Sequence, residues 1–377
     1  MKKKLRSLHR TKGTLKLAST DQMWDRAVNH RKRNRIEGCR PSLISLFTGG
    51  GGLDLGLEDA GFEIRLCLDS NKAACDTIRL NRPKIPVIEK DICKVTGEDI
   101  LRPTGLDVGE TSLISGGPPC QSFSVLGQRK GLKDPRGGLI FEFVRIVDEL
   151  KPKAFLLENV NGLTMAHSKR AAERIVDAFN EIGYKPTRRV LDAVNFGVPQ
   201  YRRRVFFTGG RGVSIEAMPP VVYGDDKQAT LLGRRLLHPR AVRWALQSPP
   251  PLEGLPNHVK RPHGDRVRKR YEKLRPGQRD KIDHTDRLEW DRPSGTVLVG
   301  SAAGGGRPHI HPEEPRVITV REAARLQTFP DDWVFAGSST EQYRQIGNAV
   351  PVLLARAVGE SLLQQLHPIR VEATVDS

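Results

Sequence analysis

Ser42-Leu43-Ile44-Ser45-Leu46-Phe47, followed at once by Thr48-Gly49-Gly50-Gly51-Gly52, decides the fold of this 377-residue chain. The short apolar run reads as a buried strand. The glycines let the backbone turn sharply and approach a ligand closely. Leu53, Leu55, Leu57 and Ala60 then supply one side of a helix. A helix that starts on such a turn offers its N-terminal amides to an anionic group. The turn lacks the GxxxxGK[ST] phosphate loop, which argues against a nucleoside triphosphatase.

Outward from this unit the pattern repeats. Ile64–Leu68 is a second strand ending at Asp69, residues 71–81 a helix, and Val87–Ile88 a short strand before Asp91. Leu113–Ser115 is a strand closing in Gly116-Gly117-Pro118-Pro119. Leu139, Ile140, Phe143, Ile146, Val147 and Leu150 follow helical spacing, Ala154–Leu157 is a strand, and Ala172 to Ile182 is a helix closed by Gly183. The alternation predicts a doubly wound, mostly parallel α/β sheet with ligands at the strand C-termini. It stops near Gly209. The following stretch is irregular, basic and rich in proline, and order returns with helices at Arg321–Gln327 and about Pro351–Leu366. The predicted organisation is a basic arm over 1–40, a catalytic and cofactor-binding domain over 41–208, a smaller domain over 209–315, and a return segment over 316–377. A short helix is predicted within the arm, over about 19–34.

Polar residues gather where strands end. Asp69 is placed to accept hydrogen bonds from a ribose diol, and Asp91, one unit later, to hold an adenine amino group. Cys120 follows a stiff Pro-Pro turn at the mouth of the sheet, where a reactive thiolate is expected if its surroundings are polar or positive. Residues 121–138 form a polar loop able to close over a substrate. Glu158-Asn159-Val160 ends the strand beside it, where an acid serves to donate a proton or meet a base edge. Arg202 and Arg204, two apart in an extended segment, share one face, with Arg203 turned away.

Composition narrows the partner. Net charge is +18, and two stretches carry nearly all of it: residues 1–40 hold 13 Lys and Arg against 3 Asp and Glu, and residues 257–282 hold 10 against 3. Such concentration points to nucleic acid. No run approaches eighteen apolar residues, so no membrane span is expected. Cys39, Cys67, Cys75, Cys93 and Cys120 form no CxxC pair, which fits a reducing cytoplasm and neither a disulfide framework nor a metal site.

At this point the chain resembles the DNA (cytosine-5)-methyltransferase family. Phe47–Gly52 is similar to its FxGxGG motif, Pro119-Cys120-Gln121 to PCQ, Glu158–Val160 to ENV, and Gln200, Arg202 and Arg204 to QxRxR. Arg321–Gln327 with Phe329-Pro330-Asp331, and Gly347-Asn348-Ala349-Val350-Pro351, match two later motifs. The resemblance spans roughly residues 42–366, with the motifs in the family's order. It implies a Rossmann-like methyltransferase fold and S-adenosyl-L-methionine as cofactor. The implied cofactor site is Phe47, Gly49, Gly51, Gly52, Asp69, Ser70, Asp91, Ile92, Pro119, Leu139, Asn348 and Val350, with no metal. The implied catalytic set is Cys120, Glu158, Arg202 and Arg204. Cys120 would attack C6 of a flipped-out cytosine, Glu158 would carry a proton toward N3, Arg202 would hold O2, and Arg204 would position the thiolate.

The partner implied is double-stranded DNA, read by residues 209–315, with a monomeric enzyme and a paired restriction endonuclease on the same site as further expectations. Residues 1–36 are expected to add sequence-independent DNA affinity. A transfer-RNA acceptor and a non-catalytic DNA-binding regulator share the same motifs as rival readings. One departure stands out: Ser45 occupies the strand end where an Asp is common in the family.

Overall fold

A computed structural model describes residues 40–119, 138–161, 169–247, 251–298 and 308–366. Cys120, the loop 121–137 and the arm with its predicted helix lie outside the described residues. Seven strands form one sheet: β1 (Ser42–Leu46), β2 (Glu63–Asp69), β3 (Val87–Glu89), β4 (Leu113–Gly116), β5 (Ala154–Val160), β6 (Tyr184–Asp192) and β7 (Arg203–Arg211), in the order β3-β2-β1-β4-β5-β7-β6. The pairs from β3 to β5 are parallel, and β7 runs antiparallel to both β5 and β6. The first crossovers are α1 (Gly52–Ala60), α2 (Lys72–Asn81), α3 (Gly97–Leu101), α4 (Leu139–Leu150) and α5 (Lys169–Glu181). The order reverses between β1 and β4, and a ligand site is expected there.

Strand β6 was not legible in the sequence. Its residues, Tyr-Lys-Pro-Thr-Arg-Arg-Val-Leu-Asp, show no apolar alternation, because it is an edge strand with much of its length in solvent. Strand β7 also carries the sheet to Arg211, past the expected domain boundary at 208.

Alternation along the central strands splits the core in two. On one face Ile44, Leu46, Ile114, Phe155, Leu157 and Phe207 meet α4 and α5 through Phe143, Ile146, Ile175 and Phe179. Phe155 and Phe179 stack with ring centroids 3.6 Å apart. On the other face Leu43, Leu113, Leu156 and Phe206 meet Leu57 of α1 and Leu354, Val358 and Leu362 of the last helix.

After β7 come three short helices, α6 (Asp226–Leu231), α7 (Val242–Leu246) and α8 (Asp265–Glu272). Helix α7 packs Val242, Ala245 and Leu246 into a third cluster with Ala323, Leu326 and Phe329. The segment after β7 is therefore rooted in the same core as the return segment. That return segment holds α9 (Val320–Leu326), α10 (Ser339–Asn348) and α11 (Val352–Leu366).

The stretch Ser339–Leu366 is long and apolar enough for a membrane span, but it is two helices broken at Pro351, and α11 lies against α1. That contact is very close. A Cβ placed at Gly56 would meet Ala355 Cβ at 2.3 Å and the Val352 carbonyl oxygen at 2.5 Å, and one at Gly359 would meet Ala60 Cβ at 2.7 Å.

Candidate active site

The C-terminal edges of β1, β2, β4 and β5 open into a cavity of about 560 Å³. The volume falls within the range of nucleoside-sized ligand sites. Its floor is the turn after β1, where Phe47, Gly49 and Gly51 all take left-handed backbone angles (φ 55°, 57° and 81°). Such angles are uncommon outside glycine, so Phe47 is held there by its surroundings. The turn is fixed from the next strand: Asp69 Oδ2 accepts from the Gly49 amide at 2.8 Å, and Oδ1 accepts from the Asn71 amide at 2.8 Å. Burial raises the Asp69 carboxyl above the usual range, against these amide bonds. Asp91 accepts from the Cys93 amide at 3.0 Å, which holds its carboxyl below the ordinary value, and Ile92 is buried beside it.

The other end of the cavity is built by β4 and β5. Glu158 is buried, and burial pushes its carboxyl above the ordinary glutamate value, against the pull of Arg204 and then Arg202. Arg204 Nε lies 2.8 Å from Glu158 Oε1. The two groups form a buried ion pair, and it pulls the Glu158 carboxyl down without undoing the effect of burial. Gly117 leaves the space in front: a Cβ there would lie 2.9 Å from Glu158 Oε2. Asn159 Nδ2 donates to the Pro118 carbonyl at 3.0 Å and so fixes the turn that leads into Cys120. The arrangement is a buried acid with a raised carboxyl beside a guanidinium at the edge of a stiff turn, joined by one cavity to a glycine-floored end lined by Asp69 and Asp91.

The family model for C-5 cytosine-specific DNA methylase matches residues 42–364. The chain belongs to that family. It is a DNA cytosine-5 methyltransferase of restriction–modification type. Type II methyltransferase M.XorII of Xanthomonas oryzae pv. oryzae is 34% identical over 87% of this chain and 86% of its own. Type II methyltransferase M.PspPI of a Psychrobacter species is 39% identical over 86% of this chain and 80% of its own. Among solved structures, a prophage-encoded protein of E. coli titled a DNA modification methyltransferase covers 86% of this chain and 99% of its own, with a TM-score of 0.68 at 25% identity. The Dnmt2 methyltransferase of S. pombe shares the fold at a TM-score of 0.61 and 19% identity, over 87% of this chain and 100% of its own.

Within this methylase the cavity gathers most of the residues expected for it. Phe47, Gly49, Gly52, Asp69, Ser70, Asp91, Ile92, Pro119, Leu139, Glu158, Arg204, Asn348 and Val350 all line it. Cys120 lies outside the described residues.

Two of the expected residues do not line the cavity. Gly51 faces away from the cavity: a Cβ there would strike Trp333 at 2.8 Å and Ile78 at 3.0 Å. Its φ of 81° and this packing both require glycine. Arg202 does not reach the cavity either. It is 1% exposed and donates to the carbonyls of Val297 at 3.3 Å, Gly347 at 2.5 Å and Ala349 at 2.9 Å. Arg202 therefore ties the sheet to the segment that carries Asn348 and Val350. Arg204 is the arginine of the pair that lines the cavity.

Gln200 has a similar tying role. Its Nε2 donates to the Leu326 carbonyl at 3.3 Å, and its Oε1 accepts from the Val297 amide at 3.0 Å. Arg321 is fully buried and donates to the carbonyls of Pro256, Pro330 and Trp333. Trp333 Nε1 in turn donates to the Gly50 carbonyl at 3.1 Å. The return segment thus braces the glycine turn from behind. Asp54 and Asn159 are wall or brace residues to which motif reading gives no role. Asn159 stands inside the Glu158–Val160 motif, and Asp54 two positions past Gly52.

Proposed function

We propose that this enzyme moves the methyl group of S-adenosylmethionine to C5 of a cytosine swung out of a specific duplex sequence, by way of a transient bond between Cys120 and C6. The observation that carries the reading is the single cavity, which joins a nucleoside end (Phe47, Asp69, Asp91) to an acid–guanidinium end (Glu158, Arg204) beside the Cys120 turn. The residues present fit the cofactor: two strand-end acids, a glycine floor, and a volume of about 560 Å³. When bound, the cofactor supplies an electrophilic methyl group. The target base must leave the stack, because C6 is out of reach in a duplex.

In this reading the Cys120 thiolate adds to C6, which turns C5 into an enamine-like nucleophile. Charge flows toward N3 as the bond forms. Glu158, raised by burial, meets N3 as the protonated acid. Arg204 takes the base O2, since it stands at the wall while Arg202 is spent on backbone carbonyls. After methyl transfer a water takes the C5 proton, Glu158 takes back the N3 proton, and the C6–S bond breaks to return the Cys120 thiolate. Asn159 keeps the Pro118 turn in place throughout.

The segment from the end of β7 to about residue 315 is proposed to read the DNA. Helix α8 presents Arg266 and Lys269 to solvent, while Arg270 is drawn inward onto Asp280 at 2.6 Å. Exposed cations of this kind fix register on phosphates. The Type II naming of the relatives leads us to expect a cognate endonuclease in the same cytoplasm.

The test is methylation of mixed-sequence duplex DNA with S-adenosylmethionine, read by bisulfite sequencing, with Cys120→Ser as control. A short recurring motif protected only by intact Cys120 is the expected result. Protection that survives Cys120→Ser refutes the covalent step.

A further inference from the structure

Asp54 sits in the first turn of α1 and is 3% exposed. It lines the cavity between Ser45 and Gly52, and neither of its carboxylate oxygens has a hydrogen-bond partner. A buried carboxyl without partners is costly, and native proteins rarely keep one without a use. Its neighbours relieve it only in part. The Ser45 hydroxyl on β1 draws the carboxyl down somewhat, but it is shared with Thr48 Oγ1 at 3.0 Å. Glu58, Asp69 and the Cys67 thiol face it from α1 and β2. Glu58 is already held by Arg82, and Asp69 by the Gly49 and Asn71 amides. Glu341 and Arg344 stand across the cavity on α10. Burial first, and the acidic neighbours after it, push the Asp54 carboxyl up to about 7. The site wants a cation.

The cofactor's own layout says which one. Its nucleoside belongs with Asp69 and Asp91, and its methyl must face Pro119 and Glu158. What remains is the amino-acid arm, and the unclaimed wall is the first turn of α1. The amides of that turn suit the arm's carboxylate.

We propose that Asp54 is the counter-ion of the cofactor's α-ammonium group, and that binding transfers the proton of the Asp54 carboxyl to solvent. The inference rests on the S-adenosylmethionine reading above. It makes Asp54 a binding and selectivity residue, which separates ligands that carry the amino-acid arm from truncated nucleosides. The step balances: a neutral carboxyl becomes a carboxylate, one proton leaves to solvent, and the incoming ammonium supplies the compensating charge.

The experiment is calorimetry on the full chain with S-adenosylhomocysteine and with 5′-methylthioadenosine, which lacks the arm, for wild type and Asp54→Asn. At pH 6.5 a carboxyl near 7 is about three-quarters protonated. Titration in buffers of different ionisation enthalpy should therefore show release of about three-quarters of a proton on S-adenosylhomocysteine binding to wild type, with no variant needed. Wild-type affinity should strengthen about eightfold from pH 6.0 to 7.5, as the competent carboxylate form becomes populated. Asp54→Asn should lose the proton release and the pH slope and weaken S-adenosylhomocysteine, while 5′-methylthioadenosine binds as it does to wild type.

A variant that keeps the wild-type proton count and slope overturns the proposal. So does a variant that weakens both ligands equally, since that marks a purely structural role. Wild type that binds S-adenosylhomocysteine without proton release overturns the counter-ion and leaves the cofactor reading standing. Wild type that binds neither ligand removes the cofactor reading and the inference together.

Discussion

Replacing Gly56 by alanine sets two effects against each other. In an exposed helix interior the change stabilises by about 1 kcal/mol through helix propensity. Gly56, however, faces α11, where the new Cβ would lie 2.3 Å from Ala355 Cβ, 2.5 Å from the Arg356 amide nitrogen and 2.5 Å from the Val352 carbonyl oxygen. None of these atoms can rotate away, so the helices must separate by more than about 1 Å to reach ordinary contact. Overpacking of a rigid core contact costs about 1–3 kcal/mol, and backbone obstacles place this case at the upper end. Net of propensity, the loss is about 2 kcal/mol, which for a chain of 377 residues is a fall of about 2–3 °C in melting temperature. Because α11 begins two residues after Val350, the same shift moves the cavity wall, so cofactor affinity should fall with stability. Gly359→Ala, whose nearest contact is 2.7 Å, should lie between wild type and Gly56→Ala. Thermal melting and S-adenosylhomocysteine titration on the three proteins give the answer. A Gly56→Ala melting temperature equal to or above wild type refutes the reasoning.

Other outcomes follow from the site. Glu158→Gln should bind cofactor normally and lose about 10²–10⁴-fold in single-turnover rate. Because burial raises Glu158 and the protonated form is the active one, the wild-type rate should fall as pH climbs through that raised value, and pre-steady-state rates across pH would show it. Arg202→Ala strips three carbonyls of a charged donor and should cost about 3–5 kcal/mol of stability, read by urea unfolding. Arg204→Ala should leave stability nearer wild type and abolish turnover, so a variant pair with the reverse pattern would restore the expected roles. Deleting residues 1–36 should flatten the salt dependence of duplex binding by about 0.9 for each phosphate the arm neutralises, and an unchanged slope in filter binding would discount the arm.

The sequence disclosed the parts of the fold with strong local signals. Strands β1, β2, β4 and β5 are short apolar runs ending in glycine or acid, and α4 and α5 keep strict helical spacing. Strand β6 and helix α10 were hidden because edge and rim elements carry polar residues on most sides. The wall residues were legible by motif, but their division of labour was not. Arg202 and Arg204 look equivalent two apart in sequence; only the return of Gly347 and Ala349 across the sheet decides which one is consumed by backbone carbonyls. Asp54 was invisible for a related reason: an acid in a helix first turn is ordinarily exposed, and only the assembled cavity, with residues 348–350 on its wall, shows this one to be buried.

The tie from Arg202 to Gly347 spans 145 positions of chain. On a ribosome working at about 5–20 residues per second, roughly 7–30 s pass between the synthesis of the guanidinium and that of the carbonyls it needs. Through that interval Arg202 lacks the carbonyls that it meets in the folded chain, and the cavity lacks the wall that carries Asn348 and Val350. The last elements to be made are therefore the ones that license activity, and a chain stopped short of them would be made without the wall that completes its own active site.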